Sequence, residues 1–474
     1  MNMNRIITPE ISVPSRSASF FARHRSAVMI FLLAFLVRIA FVFPDLISPE
    51  FSPAPFAQDG YYEIAENLLH GNGYSRSKEA PYKIDDVRTP IYPLFITIIV
   101  FLTGSYKALF IIQAFIGSFI PLFGRRMASR VFKNENIALA VGLFLALEPH
   151  SIWLSSMIFS ETLFAFFFLA SCVCFLAYIQ NGKMTAIALA SFLTAIAMLV
   201  RPTIQYLPFF FALLIAWRHK DDSALASKHI LVMCAVIFVI LMPWLFRNYT
   251  VFGSSVLTMQ SDLVLYANYV PTIIALEEGI SFDDGRRKFW RILGTNSVEE
   301  MKIGATEQYR ELILQEIPKH PEGILKSSWV SFYTFFTHDG LRSVLAHHGL
   351  FPEDEIGNLK KAEVLRKPWL IFSSPALFAI AAARAVWLLI FLFACAGLYF
   401  FIREKRRNGS TAIFGVFIAG VVAYFFAVSM VAGLGIDARF RNPANAFIVM
   451  FAAYGASMVS LFQSRNEPQI IVEN

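Results

Sequence analysis

The stretch AVMIFLLAFLVRIAFVF, residues 27–43, decides the fold class. It carries one charge, Arg38, and no turn-forming residue before Pro44. At about 1.5 Å per residue, a helix of this length crosses most of a hydrocarbon core about 30 Å thick. Arg5, Arg16, Arg23 and Arg25 precede it against Glu10 alone, so the positive-inside rule keeps the amino terminus in the cytoplasm. No small-residue cleavage site follows, and the run is read as a first span rather than a removed leader.

The whole chain has the same character. Its 474 residues are 56% hydrophobic, 15% aromatic and 16% charged, where soluble domains run about 25% charged. A mean hydropathy of +0.56 calls for lipid as the solvent of most of the surface, which excludes a soluble enzyme and a disordered protein. Further spans are expected at 106–124, 137–153, 159–179, 184–200, 203–217, 229–247, 383–402, 411–432 and 444–462. Segment 91–104 is short and has an early proline, so it is read as interfacial or re-entrant. With that segment not spanning, the basic clusters at Arg125–Lys133, Lys183, Arg218–Lys228 and Arg403–Arg407 all face the cytoplasm.

The expected organisation is a cytoplasmic segment 1–26, a transmembrane domain 27–247 with an external loop 44–105, an external mixed helical and loop region 248–382, transmembrane helices 383–462 and a cytoplasmic tail 463–474. Within 248–382, residues 298–317 have helical spacing. The four cysteines lie in apolar runs and are read as small core residues; they make no disulfide framework or zinc pattern. The net charge of +7 comes from short loops beside spans, and no basic stripe is long enough for nucleic acid. His338-Asp339 and His347-His348 match no strong metal motif and are read as a solvated loop. Walker, GxSxG, HExxH and dinucleotide signatures are missing from the sequence.

Once orientation is set, Asp59, Arg88, Glu161, Arg201, Arg247, Arg439 and Arg441 all fall in external loops or at external ends of spans. Arginines outside run against the orientation rule, and an anionic ligand at the outer face would account for them. Asp59 precedes an amphipathic helix with Tyr61, Ile64, Ala65, Leu68 and Leu69 on one face, which is expected to lie flat on the membrane. Asp59 suits a helix cap and also a general base. Glu161 suits a dipole partner at the start of a span. Arg38, inside the first apolar run, is expected to pair with a carboxylate in the bundle rather than snorkel.

Six segments together resemble the C-superfamily (GT-C) glycosyltransferases of the protein-mannosyltransferase and aminoarabinose-transferase type, family 39-like. They are QDGYYEIAENLLHGNGYS (58–75), RTPIYPLF (88–95), EPHSIWLSSMIFSETLF (148–164), LVRPTIQYLP (199–208), PWLFRNYTVFG (243–253), and ARFRNP with AAYG (438–443 and 452–455). The resemblance implies an all-α polytopic membrane protein, a GT-C-like bundle of about 10–12 transmembrane helices with interfacial amphipathic helices in the first external loop. It implies an inverting sugar transfer with Asp59 and Glu161 as the catalytic carboxylates, Asp59 being the general base, and Arg88, Arg201, Arg439 and Arg441 as donor phosphate-binding residues, with Arg38, Tyr62 and Arg247 in support. Gly60 stands where many relatives have a second acid, so a metal remains unassigned; no cofactor is certain, and a divalent metal is left open.

The implied partners are a polyprenyl-phosphate monosaccharide donor, a lipid, glycan or protein acceptor, and membrane lipid, with no nucleic acid. The implied place is a bacterial inner membrane, with the site on its periplasmic face. The rival readings are a transporter or flippase of lipid-linked sugars, which needs midplane charges and internal repeats, and a polysaccharide polymerase or ligase using a diphosphate-linked donor.

Overall fold

The computed structural model describes residues 16–57, 59–294, 306–351, 372, 374–405, 409–433 and 437–466. The first apolar run belongs to a longer helix, α1 (Arg16–Ile47), that continues through Pro44 into its last turn. After it come α2 (Tyr61–Leu69), α3 (Ile91–Thr103), α4 (Tyr106–Gly117), α5 (Ile120–Phe132), α6 (Glu135–Leu147), α7 (Pro149–Leu154), α8 (Glu161–Asn181), α9 (Met184–Val200), α10 (Leu207–Arg218) and α11 (Ser223–Phe252). A helical region follows: α12 (Gln260–Val264), α13 (Val270–Glu278), α14 (Phe282–Leu293), α15 (Thr306–Glu316), α16 (Pro321–Thr337) and α17 (Leu341–His347). The chain then returns to apolar helices, α18 (Pro375–Lys405) and α19 (Gly409–Met430), a single turn α20 (Ala438–Arg441), and α21 (Asn445–Asn466). Among the described residues the sole β pairing is an isolated bridge between Ser75 and Ile84.

Six stretches of the described chain are long and apolar enough to cross a membrane: Arg25–Ile47, Tyr106–Phe132, Glu161–Asn181, Ser223–Phe252, Pro375–Arg403 and Ala412–Met430. Helices α3, α6 and α9 are apolar but shorter. At 13 residues α3 reaches only about 20 Å, less than the hydrocarbon core, in keeping with a segment that does not span alone. The stretch 137–153, expected as one span, is broken at Glu148. Pro149 cannot continue the ladder of α6, and the Glu148 carboxylate accepts from the backbone N–H groups of His150 and Ser151 to start α7.

The interior is built where α8 packs on α9, α5 on α6 and α18 on α21. Phe164, Phe168, Phe175, Phe417 and Phe447 fill it. Large apolar side chains such as Phe101, Phe209, Leu231 and Leu389 stay on the outer surface, as a lipid-facing exterior requires. The α12–α15 region has a separate small core around Tyr266, Val270 and Phe289, to which Val87 of the loop between α1 and α3 also contributes. Of the helix expected over 298–317, residues 306–316 are helical and 298–305 lie outside the described residues.

Two expectations about burial are corrected. Cys172 is a core residue, but Cys234 and Cys395 are exposed on the outer faces of α11 and α18, because an apolar run does not reveal which stripe of a helix faces lipid. Asp339 and His347 do not sit in a solvated loop. Asp339 is buried, accepts the Leu341 N–H at the start of α17 and pairs with Arg384 at 3.2 Å, while His347 contacts Asp45 at 3.1 Å and stacks on Phe41.

Candidate active site

Helix α2 begins at Gly60, whose φ of +79° is a left-handed conformation costly to any residue with a β-carbon. Gly60 is thus the N-cap residue, and Asp59 one position earlier does not cap through its side chain. The Asp59 carboxylate is turned the other way. Its Oδ2 accepts from a terminal nitrogen of Arg439 at 2.7 Å. The Nε of the same guanidinium donates to Glu161 Oε1 at 2.9 Å. Residues 380 and 278 positions away in the chain are thereby tied by one planar fork.

Arg439 can reach both acids because Asp437 caps the turn α20 from behind, accepting the Arg439 N–H at 2.8 Å. The guanidinium lies over the Phe159 ring, 4.3 Å from its centroid. Glu161 opens α8 and is buried; its Oε1 also pairs with Arg201, which follows the last residue of α9. Burial works against the charge on Arg439, but Glu161, Asp59 and Asp437 outweigh it and hold the guanidinium protonated well above its ordinary value. Burial raises the Asp437 carboxyl despite Arg439 beside it.

Arg88 completes the group from the far end of the loop. Its Nε donates to the main-chain oxygen of Asp59 at 2.7 Å, and its face lies over Tyr61 at 5.0 Å. Neither of its terminal nitrogens has a hydrogen-bond partner among the described residues. The loop that carries it is pinned on several sides. The Arg88 N–H donates to Asp85 at 2.7 Å, Tyr74 donates to the carbonyls of Arg88 and Thr89, and Thr89 donates to Val200 at 3.0 Å, next to Arg201. Tyr61 and Ser160 share a hydrogen bond of 3.1 Å. The resulting constellation sets three carboxylates, Asp59, Glu161 and Asp437, among three guanidiniums, Arg88, Arg201 and Arg439.

The other sequence candidates lie apart from it. Arg247 stands one layer behind, on the Tyr74, Trp244 and Phe252 rings, and donates to the Asp85 carbonyl at 3.1 Å. Tyr62 points to the opposite face of α2, beside Tyr106. Arg441, two residues from Arg439, is fully buried against Trp387 and donates to the Phe335 carbonyl and to Asn445. It does not join the Asp59 group. Among the described residues Arg38 has no carboxylate in hydrogen-bond contact: it donates to Ser151, Ser155 and the carbonyls of Ala34 and Ala146 at 3.1–3.4 Å, with Glu148 acting from further away. Two short helices that supply hydroxyls and open carbonyls satisfy it in place of the expected ion pair.

Sequence reading missed Asp437, which differs from any helix cap only by what it holds in place, and Asp85, whose buried carboxylate shapes the Arg88 loop. No group of three or more His, Cys, Asp or Glu placed to hold a metal occurs among the described residues.

Residues 87–246 match the family model described as dolichyl-phosphate-mannose-protein mannosyltransferase. No curated protein matches the chain. The solved oligosaccharyltransferase of Archaeoglobus fulgidus, tethered to an acceptor peptide containing the NVT sequon, superposes over 95% of this chain with a TM-score of 0.51 at 15% identity. The chain spans about half the length of that protein, 52%. ArnT from Cupriavidus metallidurans, bound to undecaprenyl phosphate, aligns over 94% of this chain and 82% of its own, with a TM-score of 0.40 and 12% identity. The protein is a helical integral membrane protein that shares the fold of the Archaeoglobus fulgidus oligosaccharyltransferase, and its residues 87–246 are similar to the protein-mannosyltransferase family model.

Proposed function

We propose that the protein is a membrane glycosyltransferase that moves a monosaccharide from a polyprenyl-phosphate donor to an acceptor hydroxyl on the non-cytoplasmic side of the membrane, here a bacterial inner membrane. One observation carries the reading: Arg88, with two unspent guanidinium nitrogens, is held by hydrogen bond to the backbone of the very residue, Asp59, whose carboxylate is the candidate base. The matched family's description names a dolichyl-phosphate sugar, a donor of the same chemistry.

In this reading Asp59 Oδ1, which has no hydrogen-bond partner among the described residues, takes the acceptor proton, while Arg439 on Oδ2 fixes the carboxylate. The acceptor oxygen attacks the anomeric carbon as the bond from that carbon to the phosphate oxygen breaks. The polyprenyl phosphate leaves with one more negative charge, which Arg88 meets with paired N–H donors. A single displacement inverts the anomeric centre. Glu161 neutralises Arg201 and Arg439 in part and sets their direction. Residues 248–382 would contribute to acceptor recognition, and residues 44–105 would form the catalytic loop.

The test is incubation of the purified protein and its Asp59→Asn variant with membrane extract and a panel of radiolabelled polyprenyl-phosphate monosaccharides. Native protein is expected to transfer at least one sugar, and Asp59→Asn to lose transfer while folding normally. Near-native turnover by the folded variant removes Asp59 as the base.

A further inference from the structure

Helix α16 wears the wrong face for an aqueous surface. Its buried side carries Gly323, Ser327 and Ser331, one every turn, and its start lies so close to α13 that a β-carbon at Gly323 would meet the Ile273 carbonyl oxygen. Its outward side carries Leu325, Trp329 and Tyr333, which are 72%, 70% and 54% exposed. A helix between a protein core and water turns its large apolar side chains inward and its hydroxyls outward. Here two serines face the protein and an aromatic stripe faces away from it. The charges on the outward side, Glu322 and Lys326, are confined to the first two turns, where they pair at 2.8 Å.

The neighbours of α16 give its height along the bundle. Phe332 and Phe336 cluster with Phe391 of α18 and Phe426 of α19, with ring centroids 4.4–5.9 Å apart. Phe391 lies about 18 Å along its helix from the cytoplasmic end of the span at Arg403, and Phe426 about 21 Å from the start of its span at Ala412. Both heights fall in the outer half of a hydrocarbon core about 30 Å thick, so the last turns of α16 are at membrane depth. Leu388, Leu389 and Leu392 of α18, within one turn of Phe391, are also exposed, and the outward side of α16 runs on into the surface that the spans turn to lipid. A helix ending at that depth must have its last carbonyl groups met by protein. The Phe335 carbonyl accepts from Arg441 at 3.0 Å, and the Thr334 carbonyl from the His338 N–H at 2.9 Å.

We infer that α16 is a lipid-contacting helix that dips from the external region into the outer leaflet, with Trp329 and Tyr333 against phospholipids at the boundary between headgroups and acyl chains. Tryptophan and tyrosine suit that level because their rings are apolar while the N–H or O–H reaches the wet headgroup layer. The charged first turns stay above it, held to α13 by Lys326, which donates to the Leu276 carbonyl at 3.1 Å. Residues 321–337, expected from sequence as part of the external region, then belong to the membrane domain and tie the α12–α15 region to the bilayer surface. The inference rests on packing and exposure and is independent of the transferase reading.

The experiment uses the full chain in nanodiscs of phosphatidylethanolamine and phosphatidylglycerol. Spin labels are placed singly through Leu325→Cys, Trp329→Cys and Tyr333→Cys, with the exposed Cys234 and Cys395 changed to alanine. Collisions with oxygen, which concentrates in lipid, are compared with collisions with a nickel chelate, which stays in water. Oxygen is expected to dominate at positions 329 and 333, with the preference growing from 325 to 333. A label introduced by Arg287→Cys, on the exposed side of α14, is expected to show the reverse. A second measurement needs no added cysteine: bromine on phospholipid acyl chains quenches tryptophan on contact, and the native protein is expected to lose a larger share of its fluorescence in brominated nanodiscs than Trp329→Phe does.

Nickel dominating over oxygen at 329 and 333 in the folded, labelled protein places this side of α16 in water. Exclusion of both reagents places another protein surface on it, such as a second copy of the chain. Equal bromine quenching of native protein and Trp329→Phe leaves residue 329 without lipid. Each of these results overturns the inference.

Discussion

Arg439→Lys isolates what one guanidinium does for two carboxylates. The native fork makes two charge-assisted hydrogen bonds, 2.7 Å to Asp59 and 2.9 Å to Glu161, from nitrogens held apart in one plane. An ammonium is a single centre on a flexible stem and keeps one of them in good geometry. Glu161 still has Arg201, whereas Arg439 is the sole side-chain partner of the Asp59 carboxylate among the described residues. The acid that loses its anchor is therefore Asp59. A hydrogen bond to a charged group contributes about 1.5–3 kcal/mol, so the lysine variant is expected to lose about 2 kcal/mol of stability. Arg439→Gln, which also removes the charge, is expected to lose about 3 kcal/mol, the lower end for breaking a buried pair, because Arg201 remains.

Activity should fall further than stability. A base swinging free forfeits part of the roughly 10²–10⁴-fold that general-base catalysis supplies, and a loss of at least about tenfold per folded molecule is expected from the lysine variant. Tryptophan fluorescence on heating the detergent-purified protein gives the first quantity, and transfer from radiolabelled polyprenyl-phosphate sugars the second. A lysine variant that unfolds and turns over like the native protein would refute the idea that the fork organises Asp59.

Four further substitutions probe separate links. Gly60→Ala places a β-carbon at positive φ and 2.6 Å from Arg76 Cδ; it should cost about 1–2 kcal/mol and appear as a lowered unfolding temperature with a disturbed α2. Gly397→Ala would drive its β-carbon into the Phe451 carbonyl oxygen, where α18 crosses α21 with Gly455 opposite, and should cost about 1–3 kcal/mol by forcing the two helices apart; an unchanged melting curve would show that the crossing yields freely. Arg441→Met should lower the unfolding temperature more than Arg88→Gln does, since it strips a buried cation from Glu148 and Asp339. Arg88→Gln should lower undecaprenyl phosphate affinity more, and the reverse order would return Arg441 to the ligand site.

The legible and illegible parts of the site differ for a physical reason. Arg88, Arg201 and Arg439 stand out in sequence because arginines on the external side run against the orientation rule, and Asp59 and Glu161 because each stands at the head of a helical run. Arg439 and Arg441 look alike in ARFR, yet residues two apart point to nearly opposite sides of a helical turn, and only packing reveals which side holds Glu161 and which holds Trp387. Asp59 reads as a cap until the backbone of Gly60 takes that position. The partners of Arg38 are hydroxyls and carbonyls, which carry no sequence signal of charge complementarity.

Sequence alone determined that lipid is the solvent, that helices carry the chain through it, and where charge gathers along the chain, since a hydrocarbon environment dictates contiguous apolar runs and tolerates few exceptions. Tertiary structure decided which charges meet. The joining of Asp59 and Glu161 by Arg439 and the placing of Arg88 against the Asp59 backbone both depend on contacts between residues far apart in the chain. Hydrophobic patterning is local and written in order, whereas hydrogen bonding between distant side chains depends on helix rotation and on backbone angles at a few single residues, which no local pattern specifies.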